Sequence, residues 1–554
     1  MSLRRPTAET RARLIGAGLA LAALAYHLAG LGAMGLTDDD QFYVPAAVSY
    51  AHFWAEGLDG LVHGSADGFA RNAIDRRFRP NHEHPPLAKY VMGASYWLFH
   101  EKLGWLDTNP ACRVGVVLLA MLCTYLVFSF GRRAFGIEAG IFAAVALNLL
   151  PRLAFHCRVP TLDLPVTTMY LFTAYAAWRA QRSLLWGVLA GPVFGLALAT
   201  KLNAPFAVLP LGIYWLWRGR KQFRRTADRA SIELPPFTVA ALSMLLLGPL
   251  VFYLSWPWIW HDTMLRLGDY VRFHLHHYGI YLFYLGRIYG EPFAPWHAPF
   301  VLLLSSTPPM ILVLAARGAL SGLGAIRWRA LSGLSEAAEQ RDTALFLLLN
   351  ALFCVGVVAF PDNPVYGGVK LFLPALPFIA LLAGSGFIKL VEWLHERRSG
   401  TRWPVRLIAP AAGALLLLPA TIGLWRAHPY LLSYYGPLVG GVRGAYEAGL
   451  ERQYYDVFYP ELAFWLSDSL PEKAKIAFEP NNKEYRSSQR YFRESGELRR
   501  DLQIVNPRDA EYLVLTHERR WRHYPELLRR YRERERLWEL DLQGVPLLTV
   551  FKVH

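Results

Sequence analysis

Long apolar runs separated by short polar turns fill the chain from residue 13 to residue 425. They fall near 13–35, 111–131, 137–156, 161–178, 184–200, 203–217, 236–256, 297–316, 343–360, 366–390 and 405–425. A bilayer core is crossed by about 20 apolar residues in helical form, so the pattern predicts about eleven membrane spans. Residues 88–100 are apolar as well, but that run is short. It predicts a re-entrant or interfacial helix inside a first outer loop, 36–110. After residue 425 the pattern changes. The stretch 426–554 is polar and Arg-rich and has no run long enough to span. Within it Lys475–Phe478, Glu511–Leu515 and Leu547–Val553 read as strands, and Glu526–Tyr531 reads as helix. The expected architecture is a polytopic α-helical membrane domain, 1–425, followed by a small extracytoplasmic α/β domain, 426–554.

Composition supports this reading. The chain is 54% hydrophobic and only 18% charged, with a mean hydropathy of +0.21, less charge than a soluble protein of this length carries. The net charge of +15 would suit a nucleic-acid partner, but its placement argues otherwise. With 88–100 not spanning and the N-terminus cytoplasmic, the arginines at 132–133, 179, 182, 218–225, 317, 327, 329, 397–398 and 402 all fall on the cytoplasmic side. The lipid bilayer is therefore the expected partner, and no nucleic acid is. Arg4, Arg5, Arg11 and Arg13 before the first apolar run imitate a signal peptide. No small-residue cleavage site precedes the acidic cluster that follows, so the run is expected to stay as a span. Cys112, Cys123, Cys157 and Cys354 lie in or beside apolar segments and read as small core residues.

The same orientation gathers every candidate chemical group on the outer face. Asp38-Asp39-Asp40 follow the first run and precede Tyr43. Carboxylates at the mouth of a span suit a general base, though a helix start would use them too. His82-Glu83-His84-Pro85-Pro86-Leu87-Ala88-Lys89 opens a helix at Pro86. Its histidines and Lys89 suit an anionic donor, while as metal ligands with the aspartates their spacing matches no standard site. Arg158 and Asp163 flank a turn, either as an ion pair or with Arg158 gripping a phosphate. Lys201 interrupts an apolar hairpin, either snorkelling to the interface or meeting a phosphate. His274, His276 and His277, with Trp256, Trp258 and Trp260, read as part of an interfacial aromatic belt, and Asp362 lies on this face too. No phosphate-cradling glycine loop or dinucleotide fingerprint stands out, so an activated donor would come from the bilayer.

At these residues the chain resembles membrane glycosyltransferases of the GT-C fold. The nearest resemblance is to the protein O-mannosyltransferase family (glycosyltransferase family 39) and its bacterial relatives. Asp39-Asp40 with Tyr43 stands where the family carries an Asp-Glu pair. His84-Pro85-Pro86-Leu87-Ala88-Lys89 matches its His-Pro-Pro-Leu-x-Lys stretch, and Arg158 to Asp163 its Arg-to-Asp hairpin. Tyr366 to Pro374 resembles a later motif, with Gly and Lys where Asp and Arg often occur, and Tyr434 to Gly441 a stretch that often follows the last span. The resemblance implies inverting transfer of a sugar, mannose first, from a polyprenyl-phosphate donor to a hydroxyl acceptor on protein Ser/Thr or another envelope molecule. It implies Asp39 as general base with Asp40 in support. Arg158, Lys201, Lys89 and His84 would hold the donor phosphate, with Tyr43, Glu83 and Asp163 supporting. It implies no metal or other cofactor, and a bacterial inner-membrane location. Two other functions fit the sequence: a lipid A or envelope glycolipid transferase of the aminoarabinose-transferase type, and a lipid-linked sugar transporter.

Overall fold

A computed structural model describes residues 7–227, 237–276, 280–290, 293–328, 336–361, 363, 365–397 and 405–553. His277, Asp362 and several arginines of the expected cytoplasmic loops lie outside the described residues. Each apolar run of the sequence falls on a helix. Among the described residues six helical segments are long and apolar enough to cross a membrane: Ala8–Ala33, Thr108–Phe135, Thr238–Ser255, Glu336–Val358, Ala375–Arg397 and Ile408–Ala427. Ala298–Ser306 and Pro309–Gly324 form a seventh if a pair bent by 118° counts as one span. The other runs expected to span form shorter or interrupted helices or, for 203–217, the helix Val208–Ala227, which is long enough but carries five basic residues. Pro151 divides 137–156 into Ile137–Asn148 and Pro151–His156, since proline starts a helix readily but cannot sit inside one without breaking a hydrogen bond. The short run after Pro86 is the helix Leu87–Tyr96, continued by a wider π-helical turn, Trp97–Lys102.

Thr108–Phe135 is the central post of the bundle. Ala8–Ala29, Leu87–Tyr96, Ile137–Asn148, Asp163–Arg179 and Ala375–Arg397 all pack on it. Small residues set the close approaches, as expected where lipid removes the hydrophobic drive between helices. A Cβ on Gly386 would stand 1.9 Å from the Leu314 carbonyl oxygen, so Pro309–Trp328 and Ala375–Arg397 touch backbone to backbone. All four cysteines are free.

The tail carries a five-stranded sheet in the order Gln503–Ile504, Lys475–Glu479, Tyr512–Thr516, Val545–Lys552, Arg536–Leu542. The first three strands run parallel and the last two pair antiparallel. Alternate residues face opposite ways, as the two-residue period of a strand requires. Ala477, Leu513 and Leu515 pack with Tyr524 and Leu527 of the helix Tyr524–Tyr531. Ile476, Phe478, Val514 and Val550 join the core that continues into the bundle.

Three further contacts seat the tail on the loop after the first helix and on the helices beside it. Leu36–Thr37 pairs antiparallel with Val457–Phe458. Gly35, at φ +69°, makes this possible, because a Cβ there would stand 2.7 Å from the Phe458 carbonyl oxygen. The Tyr491 hydroxyl lies 2.5 Å from Asn109 Nδ2, and Ser488 Oγ donates to Gln41 Oε1 at 2.6 Å.

Candidate active site

The acidic loop divides its three carboxylates between two jobs. Asp40 is fully buried. Its Oδ2 accepts from Thr37 N at 2.8 Å and Thr37 Oγ1 at 2.6 Å, and its Oδ1 from Asn109 at 2.6 Å and Arg113 at 3.1 Å. Arg113 also donates to the carbonyls of Leu31 (3.0 Å) and Gly35. Asp40 therefore ties the loop to the head of Thr108–Phe135, and every acceptor direction it has is used. Asp38 and Asp39 face another way, towards the tail and the Asp163 turn.

The Tyr455 hydroxyl, from the tail, lies 2.9 Å from Asp39 Oδ2 and 3.0 Å from Asp163 Oδ2. Lys201 Nζ donates to Asp163 Oδ1 at 2.6 Å. His156 Nδ1 stands 3.6 Å from Asp163 Oδ2, and its Nε2 lies 2.9 Å from the Tyr454 hydroxyl. Lys370 Nζ sits 4.5 Å from the centre of the Tyr455 ring. A phenol has one proton and cannot donate it fully to two anions. Lys201 keeps Asp163 ionised, and the Tyr455 proton is shared between the Asp39 and Asp163 carboxyls. Desolvation raises the Asp39 carboxyl above its ordinary range, with Asp163 adding to the rise against the pull of Lys370 and the Tyr455 hydrogen bond. Desolvation, with Asp39 and Asp456 alongside, pushes Asp38 well above that range. Although burial pulls the Lys370 ammonium down, Asp39, Asp163 and Asp38 hold it above its ordinary value.

The remaining residues singled out in the sequence lie at different distances from this cluster. Lys201 and His84 both line a mostly apolar cavity of about 230 Å3, with Tyr170, Phe206, His274 and Tyr366 also on its wall. Tyr43 packs edge-on against His84, ring centres 6.1 Å apart. Glu83 accepts from Asn81 Nδ2 at 3.0 Å. Lys89 is fully buried and spends its ammonium on Asn81 O (2.6 Å), Asn81 Oδ1 (2.9 Å) and His84 O (2.8 Å). Its position is that of a brace for the His82–Pro86 turn, with no donor left for a phosphate. Arg158 does not pair with Asp163, whose cation is Lys201. It is buried against the first helix, donating to Tyr26 O at 3.3 Å with its guanidinium 4.5 Å from the Tyr26 ring centre. Among the described residues no three His, Cys, Asp or Glu side chains converge as a metal-ligand set.

Tyr455, His156 and Arg113 are the residues of this site that sequence reasoning did not single out, and Lys370 entered only as part of a motif. His156 and Arg113 carried a usable signal, a polar residue inside an apolar run. Tyr455 carried none, being one of 28 tyrosines.

Residues 83–253 match the model of the dolichyl-phosphate-mannose-protein mannosyltransferase family. The matched stretch holds His84, Arg158, Asp163 and Lys201 but not Asp39 or Tyr455. No curated protein is significantly similar to the chain. Among solved structures, ArnT from Cupriavidus metallidurans in the apo state is 16% identical, with 98% of each chain covered and a TM-score of 0.47. The same protein bound to undecaprenyl phosphate is 15% identical, with 97% of each covered and a TM-score of 0.44. The archaeal oligosaccharyltransferase AglB from Archaeoglobus fulgidus, in complex with an inhibitory peptide and a dolichol-phosphate, is 10% identical over 91% of this chain and 69% of that one, with a TM-score of 0.46. These likenesses are too loose to place a residue. Over residues 83–253 the family match bears out the resemblance read from the sequence, to glycosyltransferases that draw on a lipid-linked sugar.

Proposed function

We propose that the protein moves a sugar, mannose as first candidate, from a polyprenyl-phosphate donor to a hydroxyl acceptor on protein Ser/Thr or another envelope molecule. The observation that carries this is the chain Asp39–Tyr455–Asp163–Lys201, which ends on the apolar cavity. A carboxyl, a cation and an apolar wall within one site match an acceptor hydroxyl, a phosphate and a prenyl chain. Asp39, once deprotonated, takes the proton of the acceptor hydroxyl. The acceptor oxygen attacks the sugar's anomeric carbon, and the bond from that carbon to the phosphate oxygen breaks. Polyprenyl phosphate leaves with the bonding electrons, and the anomeric configuration inverts. Lys201 and Lys370 stand where negative charge grows on the phosphate, which lowers the barrier electrostatically. Neither Lys89 nor Asp40 takes part in this scheme. Both serve the shape of the loops. The reaction needs no resident metal, and the site faces the outside of a bacterial inner membrane.

The test is transfer of labelled mannose from polyprenyl-phosphate-mannose by the purified protein, with peptide and lipid acceptors offered together. Wild type should label one of them. Asp39→Asn should lower kcat by 100-fold or more, the usual range for a lost general base, roughly 10²–10⁴, while donor affinity stays. Label on a lipid alone would move the acceptor to the aminoarabinose-transferase type, and full turnover by Asp39→Asn would remove Asp39 as base.

A further inference from the structure

The opposite end of the bundle holds a second polar cavity, of about 380 Å3, that the transfer reaction does not use. Five arginines line it: Arg132, Arg133, Arg179, Arg182 and Arg218. Asn109, which touches Asp40, and Arg132 sit near the two ends of Thr108–Phe135. At 1.5 Å per residue they are separated by about 35 Å, the depth of a membrane.

One reading of these arginines is local. Arg132, Arg133 and Arg179 occupy the last turns of their helices, where a cation is favoured by the helix dipole. That explains each alone but not their convergence. Glu9 takes Arg132 at 2.8 and 3.1 Å and Arg133 at 3.1 Å. Glu339 takes Arg182, and Asp342 takes Arg218 at 3.4 Å. Among the described residues Arg179 contacts no carboxylate. It donates only to the Tyr175 hydroxyl, at 3.3 Å, and lies near the rings of Tyr175 and Trp186. Gln181 Nε2, on the same wall, is buried without a hydrogen-bond partner. Among the described residues the five guanidinium groups of the wall thus meet three carboxylates, one of which, Glu9, also pairs with Arg13 at 3.3 Å, which leaves a surplus of positive charge and an amide donor unanswered.

We infer that this cavity binds the phosphate-bearing headgroup of an anionic phospholipid. Guanidinium groups grip phosphate oxygens in pairs, and basic pockets between membrane helices suit such headgroups. The surroundings favour a lipid over a free anion. Leu184 and Leu185, two and three residues after Arg182, are 71% and 65% exposed, and Leu216, two residues before Arg218, is 71% exposed. Acyl chains would cover these side chains where the headgroup enters. A surplus of more than one positive charge suits a headgroup with two phosphates.

The experiment is native mass spectrometry of the delipidated full-length protein titrated with cardiolipin, phosphatidylethanolamine or inorganic phosphate. Wild type should hold one cardiolipin at a concentration at least tenfold below that needed for phosphatidylethanolamine. Arg179→Gln, which breaks no ion pair, should weaken cardiolipin retention severalfold, and Arg179→Gln with Arg182→Gln should abolish the preference. Arg272→Gln, on an exposed helix elsewhere, should change nothing. Equal retention of both lipids, or variants that bind like wild type, would overturn the inference. Phosphate that binds while neither lipid does would replace the lipid by a free anion.

Discussion

The two ends of Thr108–Phe135 treat charge in opposite ways. At the Asn109 end carboxylates and cations interleave in a site where Tyr455, Asp163 and His156 are almost wholly buried. At the Arg132 end cations outnumber carboxylates, and Arg182 and Glu339 stay 58% and 39% exposed. Burial magnifies electrostatics, because little water remains to screen a charge or replace a lost partner. The first end is therefore brittle, and each group fixes the protonation of the next. The second is tolerant and defined by a charge surplus rather than by any one pair. The same helix can serve a site that moves a proton and a site that holds a headgroup only because the two ends differ in this way.

The sharpest way to break the comparison is to remove a cation from the buried end. Lys201→Met leaves Asp163, 2% exposed, without its ammonium. Breaking a buried pair in this way costs about 3–5 kcal/mol, and thermal unfolding should show the loss. Lys201→Met with Asp163→Leu should recover part of that stability, because Asp163 is no longer a buried anion without its ammonium, while Lys370 loses one of the three carboxylates that face it. Transfer should be lost in both proteins. Recovery of activity along with stability would reduce Lys201 to a structural role.

Tyr455→Phe tests the proton argument with a smaller effect. Asp39 accepts a proton only after losing its own, so kcat/KM should rise with pH through the Asp39 pKa, which lies above the ordinary carboxylate range. The Tyr455 hydrogen bond lowers that pKa. Without it the rise should move to higher pH, and kcat/KM at neutral pH should fall about tenfold, the worth of one buried hydrogen bond of about 1.4 kcal/mol. A uniform drop with an unmoved pH profile would mean that Tyr455 only holds the tail in place.

The helices were legible from the sequence because apolar runs are the direct expression of burial in lipid. The strands at 475, 512 and 545 were legible because each is a short, nearly unbroken apolar run. Arg536–Leu542 was not, since Arg536, Glu539 and Asp541 interrupt it. Within the site, Asp39 and Lys201 were visible as charges at the ends of apolar runs. Tyr455 was not, because it reaches Asp39 across 416 residues and depends on how the tail docks. Lys89 and Arg158 show a different limit. Lys89 is answered by carbonyls, whereas Arg158 meets one carbonyl and one ring and keeps Nε and Nη1 buried without a partner, and only the path of the chain decides such surroundings.

The smallest effect belongs to the tolerant end and sharpens the contrast. Arg182 pairs with Glu339 in the open, and exposed pairs of this kind contribute at most about 1 kcal/mol. Arg182→Ala should leave thermal stability within that margin in detergent, where water and ions replace the lost partner. Transfer kinetics should also be unchanged, because this residue lines the cavity at the opposite end of the bundle from Asp39. In a membrane the same substitution removes one of the charges that face the headgroups. A stability difference that appears only when anionic lipid is supplied would therefore report on the cavity rather than on the pair. A large loss already in detergent would mean that the Arg132 end is as tightly interlocked as the Asn109 end, and the two ends would no longer differ in kind.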